Sequence, residues 1–222
     1  PPLLVYRHYF GDYKILDFLK LLDNKFSGDW IGRQTPTTRI EAMNNVMKRV
    51  EEYAKLEDKT KDEKLNLLFN DNVFVFNSSF FLSDLDENSI YGRRFARYIL
   101  RKVDFLLDAP LYSEKRSSYN EMTVEHILPQ NPEENSQWNL DFTPDEKEVW
   151  THKLGNLVLI SRRKNSGQGR LDFSLKKEKY FKSSIETFPN SLRVMQKPEW
   201  TITELKDNHK QLIDKIKQHY KI

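Results

Sequence analysis

Apolar residues recur at helical spacing along most of the chain and collect into short β-prone runs at a few places, a pattern that predicts helices framing a small sheet. Leu16, Leu19, Leu22 and Phe26 follow Asp12 at helical intervals. Thr35-Pro36-Thr37 reads as a helix start, because threonine caps and proline suits the first turn. From Arg39 onward, Ile40, Met43, Val46, Met47, Val50, Tyr53, Ala54 and Leu56 form one stripe of an amphipathic helix. Residues 57–64 are charged and read as a solvated connection. Residues 69–85 mix aromatics with valine and suit either short extended pieces or a buried helix. A second long helix is predicted from Tyr91 through Phe95, Ile99 and Val103 to Leu106, stopped by Pro110.

Beyond a polar linker at 112–120 the period changes. Residues 122–128 read as a short strand ending at Pro129, and 130–147 as a polar loop. Residues 149–153 suit one helical turn. Leu157-Val158-Leu159-Ile160 is a β-prone run and predicts a second strand. A Ser/Gly-containing segment follows at 161–169, then helices over 174–188 and 203–220. The fold class is therefore α+β and predominantly helical. Three parts are expected: helices over 1–118, a strand-bearing unit over 119–170, and helices over 171–222 packed on it.

Composition narrows the function. The 222 residues can bury a sizeable core. The absence of cysteine excludes disulfides and thiolate zinc sites. No apolar run approaches the roughly 20 residues a bilayer requires, and no signal-peptide layout opens the chain, so a cytoplasmic protein is expected. The start at Pro1-Pro2-Leu3-Leu4, without methionine, reads as a piece cut from a longer protein. The net charge of +3 is small, but residues 153–182 hold nine basic residues against Asp172 and Glu178. A concentrated basic segment is what a phosphate backbone attracts, although a solvated lysine-rich face has the same composition.

Three segments carry candidate chemistry: Val124-Glu125-His126-Ile127-Leu128-Pro129-Gln130, Leu154-Gly155-Asn156-Leu157, and Arg163-Lys164-Asn165. Adjacent Glu125 and His126 on a strand project to opposite faces, so they serve different roles. A carboxylate with an amide oxygen is a hard-oxygen pair suited to Mg²⁺ or Mn²⁺.

Together these segments resemble the ββα-metal finger of HNH endonucleases. The wording Thr123-Val124-Glu125-His126-Ile127-Leu128-Pro129-Gln130 with His152-Lys153-Leu154-Gly155-Asn156-Leu157 is similar to the C-terminal nuclease domain of GmrSD-type, modification-dependent restriction enzymes. A weaker likeness extends through Phe173-x-x-Lys176-x-x-x-Tyr180 and Trp200. The resemblance implies that His126 is the general base, its tautomer fixed by a partner for which a backbone carbonyl is usual. It implies that Glu125 and Asn165 hold one Mg²⁺ or Mn²⁺, and that Asn156 orients the His126 loop. Lys153, Arg162, Arg163, Lys164 and Arg170 would contact DNA phosphates, with His152 in a supporting role. An N-terminal sensor/NTPase domain of the same longer protein is implied as a partner. The Asp-Gly-x-x-Arg type motif of such domains does not occur in this chain. Relatives also tend to carry an arginine about eight residues beyond Trp200, where this chain has Asn208 and His209. The resulting expectation is a DNA endonuclease of a bacterial restriction system. The alternative is a non-catalytic DNA-binding or protein-interaction module on the same scaffold.

Overall fold

The computed structural model describes residues 1–87, 89–161, 169–182 and 188–222. It is 65% helical with one two-stranded antiparallel sheet among the described residues, which is the α+β, predominantly helical class expected. The chain forms two compact units, Pro1–Asp84 and Leu85–Ile222. The helices expected over 1–118 are thus distributed over both. Among the described residues no helix is long and apolar enough to cross a membrane.

The first unit is helical: α1 (Pro2–Phe10), α2 (Ile15–Ile31), α3 (Pro36–Ala54), α4 (Lys61–Phe69) and α5 (Ser78–Leu85), the last reaching the boundary. Thr35 caps α3 by accepting from the Thr38 amide at 3.2 Å, with Pro36 behind it. The charged run at 57–64 is not a plain connection. Thr60 and Glu63 form a reciprocal capping box that starts α4 inside it. The core is aromatic at its centre, with the Tyr6 and Phe18 rings stacked at 4.1 Å over Val46, Val50, Leu65 and Leu68. Leu16 and Leu19 are exposed, so α2 turns Phe18 inward instead of the expected Leu16–Leu19 edge.

In the second unit α6 (Ala96–Leu107) begins later than Tyr91, and α7 (Ala109–Glu114) runs into the start of the expected linker. Strand β1 (Met122–His126) pairs antiparallel with β2 (Leu157–Ser161), and the register sets Glu125 opposite Val158 and His126 opposite Leu157. The expected loop over 130–147 contains α8 (Trp138–Asp141) and the start of α9 (Pro144–Trp150), the latter nucleated by a Thr143–Glu146 capping box. Helix α10 (Phe173–Lys182), α11 (Pro189–Met195) and α12 (Ile202–Tyr220) complete the unit. All five residues of β2 are buried, which its continuous apolar run requires. Val158 and Ile160 face a core with Ile127, Leu128, Trp138, Phe173, Tyr180 and Trp200.

The back of the sheet is held by a buried carboxylate. Asp104 on α6 accepts from the Asn190 amide at 2.8 Å and from the Tyr119 hydroxyl at 2.9 Å, and Asn190 in turn donates to the Leu157 carbonyl. Burial outweighs these two hydrogen bonds and pushes the Asp104 carboxyl up to about 7. Its folded value therefore lies above the unfolded one, near 3.9. Between the two, the folded state keeps a proton the unfolded state has lost, so stability falls as pH rises from about 4 to about 7. Asp104→Asn has no proton to lose. Its unfolding free energy relative to wild type should rise by about 3 kcal/mol between pH 5 and pH 8, at roughly 1.4 kcal/mol per unit. Urea midpoints at the two pH values measure this, and a difference that does not change with pH would refute it.

Candidate active site

Strand β1 stops at His126, two residues short of the expected end, and the chain leaving it is stapled to the turn entering β2. Asn156, fully buried at the end of the 3₁₀ turn Leu154–Asn156, does this with its whole amide. Its Oδ1 accepts from the Leu128 amide at 2.8 Å. Its Nδ2 donates to the Leu128 carbonyl at 2.9 Å and to the Thr151 carbonyl at 2.8 Å. The Asn156 carbonyl accepts from the Ile127 amide at 3.0 Å. Asn156 thus fixes the backbone immediately after His126 and is a positioning residue.

The His126 ring lies on the opposite face of the sheet from Glu125, as strand alternation requires. Its Nε2 is 3.0 Å from Nδ1 of His152, and its Nδ1 is 3.3 Å from Nε2 of the exposed Gln130. Tyr91 packs its ring on both imidazoles, at centroid distances of 4.3 and 5.7 Å. The Gln130 amide nitrogen can only donate, so Nδ1 of His126 accepts and its proton resides on Nε2, donated to His152. The tautomer partner is therefore a side chain, His152, where a backbone carbonyl was expected. Burial, with His152 and Lys176 nearby, pulls the His126 imidazole down to about 3, so the ring is neutral at physiological pH. Burial also lowers His152.

Glu125 faces the apolar core beside Val158, where an unpaired carboxylate would be costly. The partner comes from α10, whose inward stripe is Phe173, Lys176 and Tyr180. Lys176 is fully enclosed and donates from Nζ to Glu125 Oε1 at 2.7 Å and to the His126 carbonyl at 2.7 Å. Burial pushes the Glu125 carboxyl up and the Lys176 ammonium down, each opposed by the other's charge. A lysine at the apolar position of a helix stripe, three residues after Phe173 and four before Tyr180, was the signal in the sequence for this pair.

The remaining predicted residues divide. Lys153, expected at the DNA surface, is buried instead. Its Nζ donates to the Asp86 carbonyl at 2.6 Å and carboxylate at 2.9 Å and lies over the Trp150 ring. That places it in the scaffold. Arg170 stays exposed, in a loose contact with Glu133 at 3.4 Å worth little in water. Arg162, Arg163, Lys164 and the expected metal ligand Asn165 lie outside the described residues.

Asn208 and His209 take part in a way not foreseen. Asn208 Nδ2 donates to the Gly155 carbonyl at 2.6 Å, and His209 Nδ1 accepts from the Gly155 amide at 3.2 Å. His209 Nε2 meets Asp86 at 3.0 Å. A Cβ on Gly155 would fall 2.5 Å from His209 Cβ and 2.8 Å from its Cα, so only glycine lets α12 approach. The N-terminal half of α12 thus grips the turn carrying Asn156.

Among the described residues no three His, Asp or Glu side chains gather as a metal cluster. Glu125 is a buried hard-oxygen donor already facing a cation, the Lys176 ammonium, so its position suits positive charge; the second expected donor is Asn165.

A profile of the family described as "GmrSD restriction endonucleases, C-terminal domain" matches residues 76–215, more than half of the chain. No curated protein matches the sequence.

Proposed function

The chain belongs to the family of GmrSD restriction endonuclease C-terminal domains, and from that premise we propose that it is an HNH-type, divalent-metal-dependent DNA endonuclease with His126 as its general base. The observation that carries this reading is the His126 ring: neutral, tautomer-fixed by His152, and presenting its Nδ1 lone pair toward an exposed, weakly bonded Gln130. A contact of 3.3 Å is easily exchanged for water. Water in the place of Gln130 would give its proton to Nδ1 as its oxygen attacks phosphorus and the bond to the 3′ oxygen breaks. A phosphate beside the ring favours the imidazolium, which raises the proton affinity that burial has lowered in the free protein. His152, accepting from Nε2, steadies the charged ring. Glu125 and Asn165 would hold one Mg²⁺ or Mn²⁺, which supplies charge stabilisation at the phosphate and leaving oxygen. Arg170, with Arg162, Arg163 and Lys164, would bind flanking phosphates.

One such site cuts one strand at a time, so a monomer should nick. A role in bacterial restriction of phage DNA, alongside an N-terminal sensor/NTPase domain, belongs to the same proposal. The test is supercoiled plasmid, modified and unmodified, incubated with Mg²⁺, Mn²⁺ or EDTA. Conversion to open circle with either ion and none in EDTA is expected; cleavage indifferent to EDTA would sink the metal-dependent reading. The Lys176 ammonium on Glu125 favours a second reading, a non-catalytic DNA-binding scaffold. That reading predicts salt-sensitive DNA binding with no cleavage under any of these conditions.

A further inference from the structure

We propose that Lys176 is a resident cation on Glu125 which a divalent metal must displace, so that Lys176 sets how tightly the site takes metal. The inference rests on the metal-dependent reading above and concerns the occupant of Glu125 in the free protein.

Three observations carry it. First, Lys176 is bound on both sides: its Nζ donates at 2.7 Å to Glu125 Oε1 and at 2.7 Å to the carbonyl of His126. The two acceptors are consecutive residues at the end of β1, so one ammonium serves the expected metal ligand and the backbone of the base together. Second, the lysine is not a surface side chain that has folded inward by chance. It lies at 0% exposure between Phe173 and Tyr180 on the inward stripe of α10, and the helix delivers it to that spot. Third, Glu125 sits on the core face of the sheet opposite Val158 and beside no other described cation, so its charge is neutralised by Lys176.

A divalent ion bound directly to the Glu125 carboxylate would share one carboxylate with that ammonium inside the core. Two cations so close, where water screens little, repel strongly. Either the ammonium withdraws or the metal binds weakly. Removing the lysine charge therefore favours metal twice: it frees Oε1, and it leaves a buried carboxylate in want of a cation.

Mn²⁺ affinity, read by electron paramagnetic resonance of the free ion and by calorimetry on the full chain, tests this without DNA. Lys176→Met should bind Mn²⁺ at least tenfold more tightly than wild type. Lys176→Gln, which keeps a hydrogen-bond donor without charge, should tighten it in the same direction, and Lys176→Arg should stay near wild type. Adding Glu125→Gln to Lys176→Met should abolish the tight site. Should Lys176→Met fold only with Mn²⁺ present, a rise in melting temperature with Mn²⁺ larger than in wild type carries the same prediction. Equal affinity in wild type, Lys176→Met and Lys176→Gln, or weaker binding in the variants, overturns the proposal. Plasmid cleavage by wild type is measured alongside. Mn²⁺-dependent cleavage with unchanged affinity in the variants overturns only the competition, whereas cleavage in EDTA with no Mn²⁺ bound by any protein overturns the metal-dependent reading as well.

Discussion

His126→Ala is expected to lower plasmid nicking by about 10²–10⁴-fold, the usual contribution of a positioned general base, while leaving DNA binding in place. The loss should appear in kcat, because the imidazole acts on the attacking water and not on the phosphates that hold DNA. The ring is half of a pair, so His152 should behave differently from an inert neighbour. Its Nδ1 accepts from Nε2 of His126 at 3.0 Å, which directs the basic lone pair at Nδ1 outward. His152→Ala removes that acceptor and frees the ring to take either tautomer. It should therefore lower kcat by a smaller factor than His126→Ala, with KM unchanged. His152→Asn puts an amide oxygen close to the position of the lost Nδ1 and should restore much of the rate. Rescue by asparagine is the informative result, since a merely packed imidazole would be replaced equally well by other side chains of its size. Wild-type rates in His126→Ala would end the assignment of the base.

The likeness of the Glu125-His126 and Gly155-Asn156 segments to HNH enzymes rested on short-range chemistry, and short-range chemistry is what a sequence displays. Strand alternation assigns opposite faces to Glu125 and His126, and the register bears this out by pairing one with Val158 and the other with Leu157. The capping boxes at Thr60–Glu63 and Thr143–Glu146 were equally legible, yet both lay in charged stretches where hydrophobic period is silent. Reading polarity as loop there missed α4 and the start of α9, although the S/T-x-x-E signature was present.

What the sequence concealed are contacts between distant segments. Lys153 and Arg170 look alike as basic residues flanking a basic run. One is buried on Asp86, 67 positions away, and the other remains in water. Nothing local separates them, because the difference lies in where the carboxylate of Asp86 arrives. Asn208 and His209 were conspicuous only as a departure from an expected arginine; their partner, Gly155, lies more than 50 residues earlier. Lys176 is the intermediate case. Its place on an apolar helical stripe announces a buried charge, and only the fold names Glu125 as its partner.

Asn156→Ala should cost about 3–9 kcal/mol of stability, at roughly 1–3 kcal/mol for each of three buried groups left without a partner. The groups are the Leu128 amide, the Leu128 carbonyl and the Thr151 carbonyl. Size alone cannot account for such a cost, and Asn156→Asp shows why. Aspartate has the same shape, but two of its three contacts would set a carboxylate oxygen against a carbonyl oxygen in a site with no exposure. Only an amide accepts on one side and donates twice on the other. Asn156→Asp should therefore destabilise at least as much as alanine at neutral pH. It should recover in part on acidification, when the protonated carboxyl regains one donor. Because the stapled backbone is the one that follows His126, variants still folded at low temperature should cleave about 10²-fold more slowly, the order expected of a displacement near 1 Å at a reacting group. Denaturation midpoints and nicking rates on the same samples measure both. An Asn156→Asp protein as stable as wild type at neutral pH would show that shape, and not the direction of its hydrogen bonds, is what the position requires.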